Sequence, residues 1–263
     1  LFAGNFSVKT ANTSWLNILN SLGKSAYPKS EHPQIKALHL PAEEGPFLIA
    51  KETNSQGNAA ILLLDEGNFS MEKKSAQKIL SAALQEPFFD TLRTKQKTGY
   101  IAQSGDTEFE KRLYQYFLVQ SNTHQPEDLL HRFELFLEEY REDFTTHVSE
   151  ERFATLKSSA IEALKNQCRN INDKAALWDL LAFEEKGDFT LIDRRIEALE
   201  NLSYEQFLTF GEEFLSRSNR KRLAILYTGK IPTPFTYLPT TVTGLSELAT
   251  YAPRSTEQEM NTR

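Results

Sequence analysis

A chain of 263 residues, 40% hydrophobic and 25% charged, can bury the core of one large or two small domains. Its net charge of −6 argues against nucleic acid as the main partner, because phosphate binding needs a basic field. No run approaches the roughly 18 apolar residues needed to cross a membrane, and Cys168, the sole cysteine, rules out an intrachain disulfide or a thiolate metal cage. The opening LFAGNF reads as the end of a strand, with no initiator Met and no signal-peptide pattern, which suggests a piece of something longer. A short helix with apolar Trp15, Ile18 and Leu19 follows, and the Gly-, Pro- and Ser-containing stretch 23–33 reads as a linker. Two strands, Phe47–Glu52 and Ala59–Asp65, are expected around the turn-rich TNSQGN, the second apolar on both faces as a central strand is.

Ser70 is placed to cap the next helix, whose stripe is Ala76, Ile79, Leu80, Ala83 and Leu84. Pro87 suits the first turn of a further helix, and Gly99 is expected to break it. A hairpin GYIAQS/LYQYFLVQ around GDTEFE comes next. From Pro126 the periodicity is helical, first with Leu130, Phe133, Leu137 and Tyr140 on one face. The next helix should open at Ser149 with a Val148/Phe153 staple and bury Phe153, Leu156, Ala160, Ala163 and Leu164. Cys168 falls on a helical apolar face and reads as a small buried hydrophobe. Asp173 can cap a helix carrying Leu177, Leu180 and Leu181 that Gly187 ends. Ser203 and Gln206 make a capping box, with Leu202 and Phe207 as its staple. The cluster Arg217, Arg220, Lys221 and Arg222 reads as a solvated loop before the strand Arg222–Thr228, and the Pro/Thr-rich remainder reads as a tail. Early strands, a helical run and a returning strand predict an α+β, two-layer sandwich of a mainly antiparallel sheet with helices packed on it.

Candidate chemistry is sparse. The histidines are His32, His39, His124, His131 and His147. An H-x-x-E-H helix turn would hold a metal on two imidazoles and activate water with the carboxylate. HRFEL (His131–Leu135) and HVSEE (His147–Glu151) each lack the second histidine, so both read as surface helix positions and no zinc site is expected here. There is no G-x-S-x-G elbow, P-loop or dinucleotide fingerprint. What stands out is LRTKQKTGY (Leu92–Tyr100), three cations ending in a glycine and a phenol. Helical spacing puts Arg93 and Lys97 on one face and turns Phe89 and Leu92 inward. On spacing alone, a solvated basic turn and a hydroxyl held at an element's edge are both open readings.

The segment EPFFDTLRTKQKTGYIAQSG (Glu86–Gly105) resembles a stretch in the C-terminal part of the insulysin/pitrilysin type of M16 zinc metallopeptidases. The pattern there is E-P-x-F-x-x-L-R-x-x-x-x-x-G-Y, met by Glu86, Pro87, Phe89, Leu92, Arg93, Gly99 and Tyr100. The likeness extends weakly through YFLVQS and the later helices to Tyr227, and LFAGNFS resembles the strand that closes the preceding family domain. The resemblance implies one of four homologous domains of the M16 (LuxS/MPP-like) fold, arranged as two bowls around a peptide. It implies zinc held in the N-terminal half of the full-length protein, with no cofactor in this segment. It also implies that Arg93 binds substrate and that Tyr100 donates a hydrogen bond to the oxyanion of the tetrahedral intermediate. Expected partners are the N-terminal half of the same protease and peptide substrates, with neither nucleic acid nor membrane. The expected organisation is residues 1–33 from the preceding domain, 34–230 as the C-terminal M16-type domain, and 231–263 as a tail. The alternative is a catalytically inactive homologue acting as a scaffold or binding partner. The compartment would be periplasmic for a bacterial pitrilysin-like protein and cytoplasmic otherwise.

Overall fold

In chain order, the elements are helix α1 (Val8–Leu22), strands β1 (Phe47–Gln56) and β2 (Asn58–Asn68), and helix α2 (Met71–Phe89). The hairpin β3 (Ile101–Phe109) and β4 (Arg112–Ser121) follows. Then come α3 (Pro126–Glu142), α4 (Phe144–His147), α5 (Glu150–Lys165), α6 (Ile171–Asp179), α7 (Leu191–Asn201), α8 (Tyr204–Leu215) and β5 (Arg222–Lys230). These come from a computed structural model that describes residues 7–22, 28, 30, 40–41 and 43–231. The expected strand at 1–6, His32, His39 and the tail beyond Ile231 lie outside the described residues.

The sheet order is β1-β5-β2-β4-β3, with every pair antiparallel except β1 with β5. The α+β sandwich is therefore as expected, but β1 and β2 are not partners. The returning strand β5 lies between them, pairing Leu48 with Ala224 on one side and Leu62 with Ala224 on the other. The β3–β4 turn also differs from the expectation: GDTEF continues as strand, and Glu110 and Lys111 make the two-residue turn. Both have positive φ, 47° and 57°, as a turn matching the right-handed strand twist requires.

One face of the sheet carries the core. Ala60, Leu62 and Leu64 from β2 and Phe117 and Val119 from β4 are essentially sealed against α2 and α3. All five residues of the predicted α2 stripe are buried there. Across the opposite face, Ile49, Ile225, Ile61 and Leu118 align in one row and remain partly exposed. The caps at Ser70 and Ser149 and the Ser203/Gln206 box form as expected, whereas Asn170, not Asp173, caps α6 by accepting from the Asn172 and Asp173 amides. In α5, Ile161 packs on the core and Ala163 faces out, and Leu180 is exposed on α6's continuation.

Two further expectations fail for physical reasons. Cys168 lies past the end of α5, in an exposed connection, so it has no apolar face to join. The basic cluster is not simply solvated. Arg222 is buried, with its guanidinium bonded to Glu134 and to the carbonyls of Leu215, Ser216 and Asn219, while Arg220 donates to Gly45 O at 2.6 Å. These arginines tie the last helix and strand together. Nothing in a local charge count reveals that.

Candidate functional site

Pro87 does not start a helix; it sits inside α2. Proline has no N–H, so the carbonyl four residues back loses its helical partner. That carbonyl is Ala83 O, and the buried Tyr140 hydroxyl from α3 donates to it at 3.2 Å. Burial pushes the Tyr140 phenol up to about 12, which keeps it a donor throughout the neutral range. The helix then loosens into a π-type turn over Asp90–Lys95, anchored by the fully buried Leu92. Such turns are over-represented at functional sites.

The end of this turn is held twice at Leu92, whose carbonyl accepts from the Thr98 amide at 3.0 Å and from its hydroxyl at 2.8 Å. Lys97, with φ of 53°, is the residue that takes the left-handed conformation and reverses the chain. Gly99 is needed for a different reason: a Cβ there would sit 1.9 Å from the Gln120 carbonyl oxygen. The junction thus lies tight against the end of β4, and Tyr100 emerges just before β3 begins.

Arg93 and Tyr100 are brought together. The Arg93 guanidinium lies over the Tyr100 ring at 4.7 Å and over the Phe89 ring at 5.0 Å. Tyr100 is 82% exposed, so its phenol is displayed and not packed. Phe89 is also exposed, contrary to the inward orientation expected from spacing; its neighbour Phe88 takes the buried position instead. The other cations differ in kind. Lys95 pairs with Asp90 at 2.8 Å on the surface, and Lys97 is exposed. Three aromatic and cationic side chains therefore form one stacked surface feature, Phe89–Arg93–Tyr100. Sequence reasoning gave two of its members a role and turned Phe89, though part of the same pattern, inward. The i, i+4 spacing of Phe89 and Arg93 was the available signal.

The two near-miss zinc motifs have other roles in the structure. Glu134 bonds to Arg222, and the His147 ring stacks on Tyr140 at 4.4 Å. Among the described residues no group of three His, Cys, Asp or Glu could hold a metal ion. Nor is any described helix long and apolar enough to cross a membrane.

A second concentration of charge lies at the opposite end of α2. Both Glu66 carboxylate oxygens are buried without a hydrogen-bond partner, and burial holds the carboxyl well above its ordinary range against the opposing pull of Lys74. Gln77 is near, but its Oε1 accepts from Lys74 and its Nε2 donates to Tyr114 O. Burial would also raise Asp106, but Lys74 at 3.0 Å and Lys78 at 3.4 Å outweigh it and hold that carboxyl low. Asp65 and Arg112, both buried, pair beside them, with Asp65 also accepting from the Gly67 amide at 2.7 Å.

Comparison with known proteins places the stacked feature inside a matched region. Residues 79–178 match the family described as PQQ synthase PqqF-like, C-terminal lobe domain 4. The chain is 23% identical over 157 residues to the A-factor-processing enzyme of Saccharomyces cerevisiae, covering 60% of this chain and 15% of that protein. Among solved structures it is similar to pitrilysin, with a TM-score of 0.67 at 17% identity, covering 85% of this chain and 23% of the other. It is also similar to a peptidase M16 inactive domain from Pseudomonas fluorescens, with a TM-score of 0.60 at 16% identity, covering 88% and 52%. The chain spans about a fifth or less of the length of the curated relatives it matches.

Proposed function

We propose, for a chain that belongs with the C-terminal domains of the M16 peptidase family, that it completes the peptide chamber of a larger zinc endopeptidase. In this reading residues 34–230 are the domain proper, α1 belongs to the domain before it, and the zinc is held in the N-terminal half. The single observation that carries the reading is the exposed Tyr100 phenol braced on Arg93. A buried tyrosine in that position would be core. An exposed one, at a junction fixed by Gly99 and Thr98, is a hydroxyl presented at a defined place. Tyr100 would donate to the oxygen that becomes negative as the peptide carbonyl turns tetrahedral. Arg93 would hold the peptide backbone through its forked donors, before and during the reaction.

The test is kinetic and uses the full-length protein on one short peptide. Tyr100→Phe deletes one oxygen and keeps the ring over Arg93. It should lower kcat by roughly a hundred- to thousandfold, about 2.7–4 kcal/mol, with binding little changed. Arg93→Ala should weaken binding as well. Lys95→Ala, which removes only a surface pair, should change little. An unchanged chemical step in Tyr100→Phe would make the phenol structural.

The second reading is an inactive homologue serving as scaffold or binding partner, favoured by the likeness to a solved domain described as inactive. It predicts no zinc and no peptide cleavage in the full-length protein, whatever residue stands at 100. On the likeness to pitrilysin, the compartment would be periplasmic for a bacterial pitrilysin-like protein and cytoplasmic otherwise.

A further inference from the structure

Phe89 presents a problem that packing does not solve. It is the last residue of α2 and is 40% exposed, whereas Phe88 beside it is sealed in the core. Burial of its own surface therefore gives only part of the reason for a large ring there. What the ring does contact is the Arg93 guanidinium, 5.0 Å from its centroid, on a cation that also rests on Tyr100 at 4.7 Å. A surface arginine has four rotatable side-chain bonds and many rotamers of similar energy. Two aromatic faces around its planar head select a few of these. Asp90, the nearest acid in sequence, is taken up by Lys95, so it does not redirect Arg93.

We infer that Phe89 is a positioning residue: it holds the Arg93 guanidinium against Tyr100 so that its free edge points outward as a preset fork of donors. This rests on the peptide-binding reading of Arg93 given above, but the stacking itself can be tested without it. Phe89 works with Tyr100 as one half of a clamp. The aromatic pair fixes the plane of the guanidinium and leaves its N–H groups for a peptide carbonyl.

Two measurements test this. In the present chain, the Arg93 side-chain NMR resonances should be shifted upfield by ring currents relative to those of the exposed Arg217. Phe89→Leu should move them toward the solvated value, and Phe89→Trp should keep them shifted. No change in Phe89→Leu would overturn the inference. In the full-length protein, Phe89→Leu should lower kcat/KM for a short peptide by roughly two- to fivefold, as expected for an exposed cation–π contact. The loss should fall mainly on KM, be restored by Phe89→Trp, and vanish in an Arg93→Ala background, where there is nothing left to position. A loss that persists in that background would mean Phe89 touches the peptide directly, which also overturns the inference. A silent Arg93→Ala would sink the peptide-binding reading of Arg93 instead, while the resonance shifts would still decide the stacking.

Discussion

The two ends of α2 treat charge in opposite ways. At its N-terminal end Glu66, Lys74 and Asp106 are drawn under the helix, with the buried Asp65–Arg112 pair close by. At its C-terminal end Lys95 and Tyr100 are exposed and Arg93 is half-buried against two rings, while Phe88, Leu92 and Thr98 go in. Buried charge is costly and must be matched by partners, so at the first end the charges are largely taken up by one another. Displayed charge costs little and can meet a ligand, so the second end is where chemistry can happen. On the proposed reading the same helix separates a structural electrostatic role from a functional one, and local charge density does not distinguish them.

That contrast can be broken at either end. The largest stability effect is expected at the buried one. Asp65→Ala removes the carboxylate that the buried Arg112 guanidinium bonds and leaves its contact with Asn68 at 3.1 Å. Loss of one member of such a pair should cost about 3–5 kcal/mol, read as a lower urea midpoint. A cost under about 1 kcal/mol would show that water reaches this end, and the contrast would dissolve.

At the displayed end, stability depends on the Tyr140 hydroxyl that substitutes for the bond Pro87 cannot make. Tyr140→Phe should cost about 1–3 kcal/mol by orphaning a buried carbonyl. Restoring the amide with Pro87→Ala in the same chain should recover most of that loss. If the two changes simply add, the hydroxyl and the proline are independent.

The smallest effect sharpens the comparison through pH. Glu66 is faced by Lys73, Lys74 and Gln77 from α2 and by Asp106 from β3, yet burial dominates and raises its folded pKa. Above about pH 4.3 the unfolded chain releases this proton while the native state keeps it, so stability falls as pH rises toward the folded value. Glu66→Gln should remove that slope and gain on the order of 1 kcal/mol at neutral pH. Urea melts from pH 5 to 8 would show it; parallel curves for variant and parent would mean Glu66 ionises freely.

Much of this was legible in the sequence because it is local. The α2 stripe, the caps at Ser70, Ser149 and Ser203, and the motif bearing Arg93 and Tyr100 each depend on residues within a short stretch of chain. What escaped depends on distant neighbours. Pro87 read as a helix start because its rescue comes from Tyr140, 53 positions later. Arg222 read as solvated because Glu134, its carboxylate partner, lies on α3. Gly99 read as a helix breaker, whereas it is small because Gln120 approaches it. The partner of β1 could not be read from its own neighbourhood at all.

That last point bears on how the protein is made. The strand lying between β1 and β2 is β5, the final strand among the described residues. A growing chain leaving the ribosome can form α2 and the β3–β4 hairpin early, but β1 must wait about 170 residues for the strand it pairs with. Until then one long edge of β2 has no neighbour, and Leu48 and Ile49 have no sheet to join. Truncation before residue 222 would therefore remove the sheet's middle, leaving two unmatched edges and a fragment inclined to aggregate.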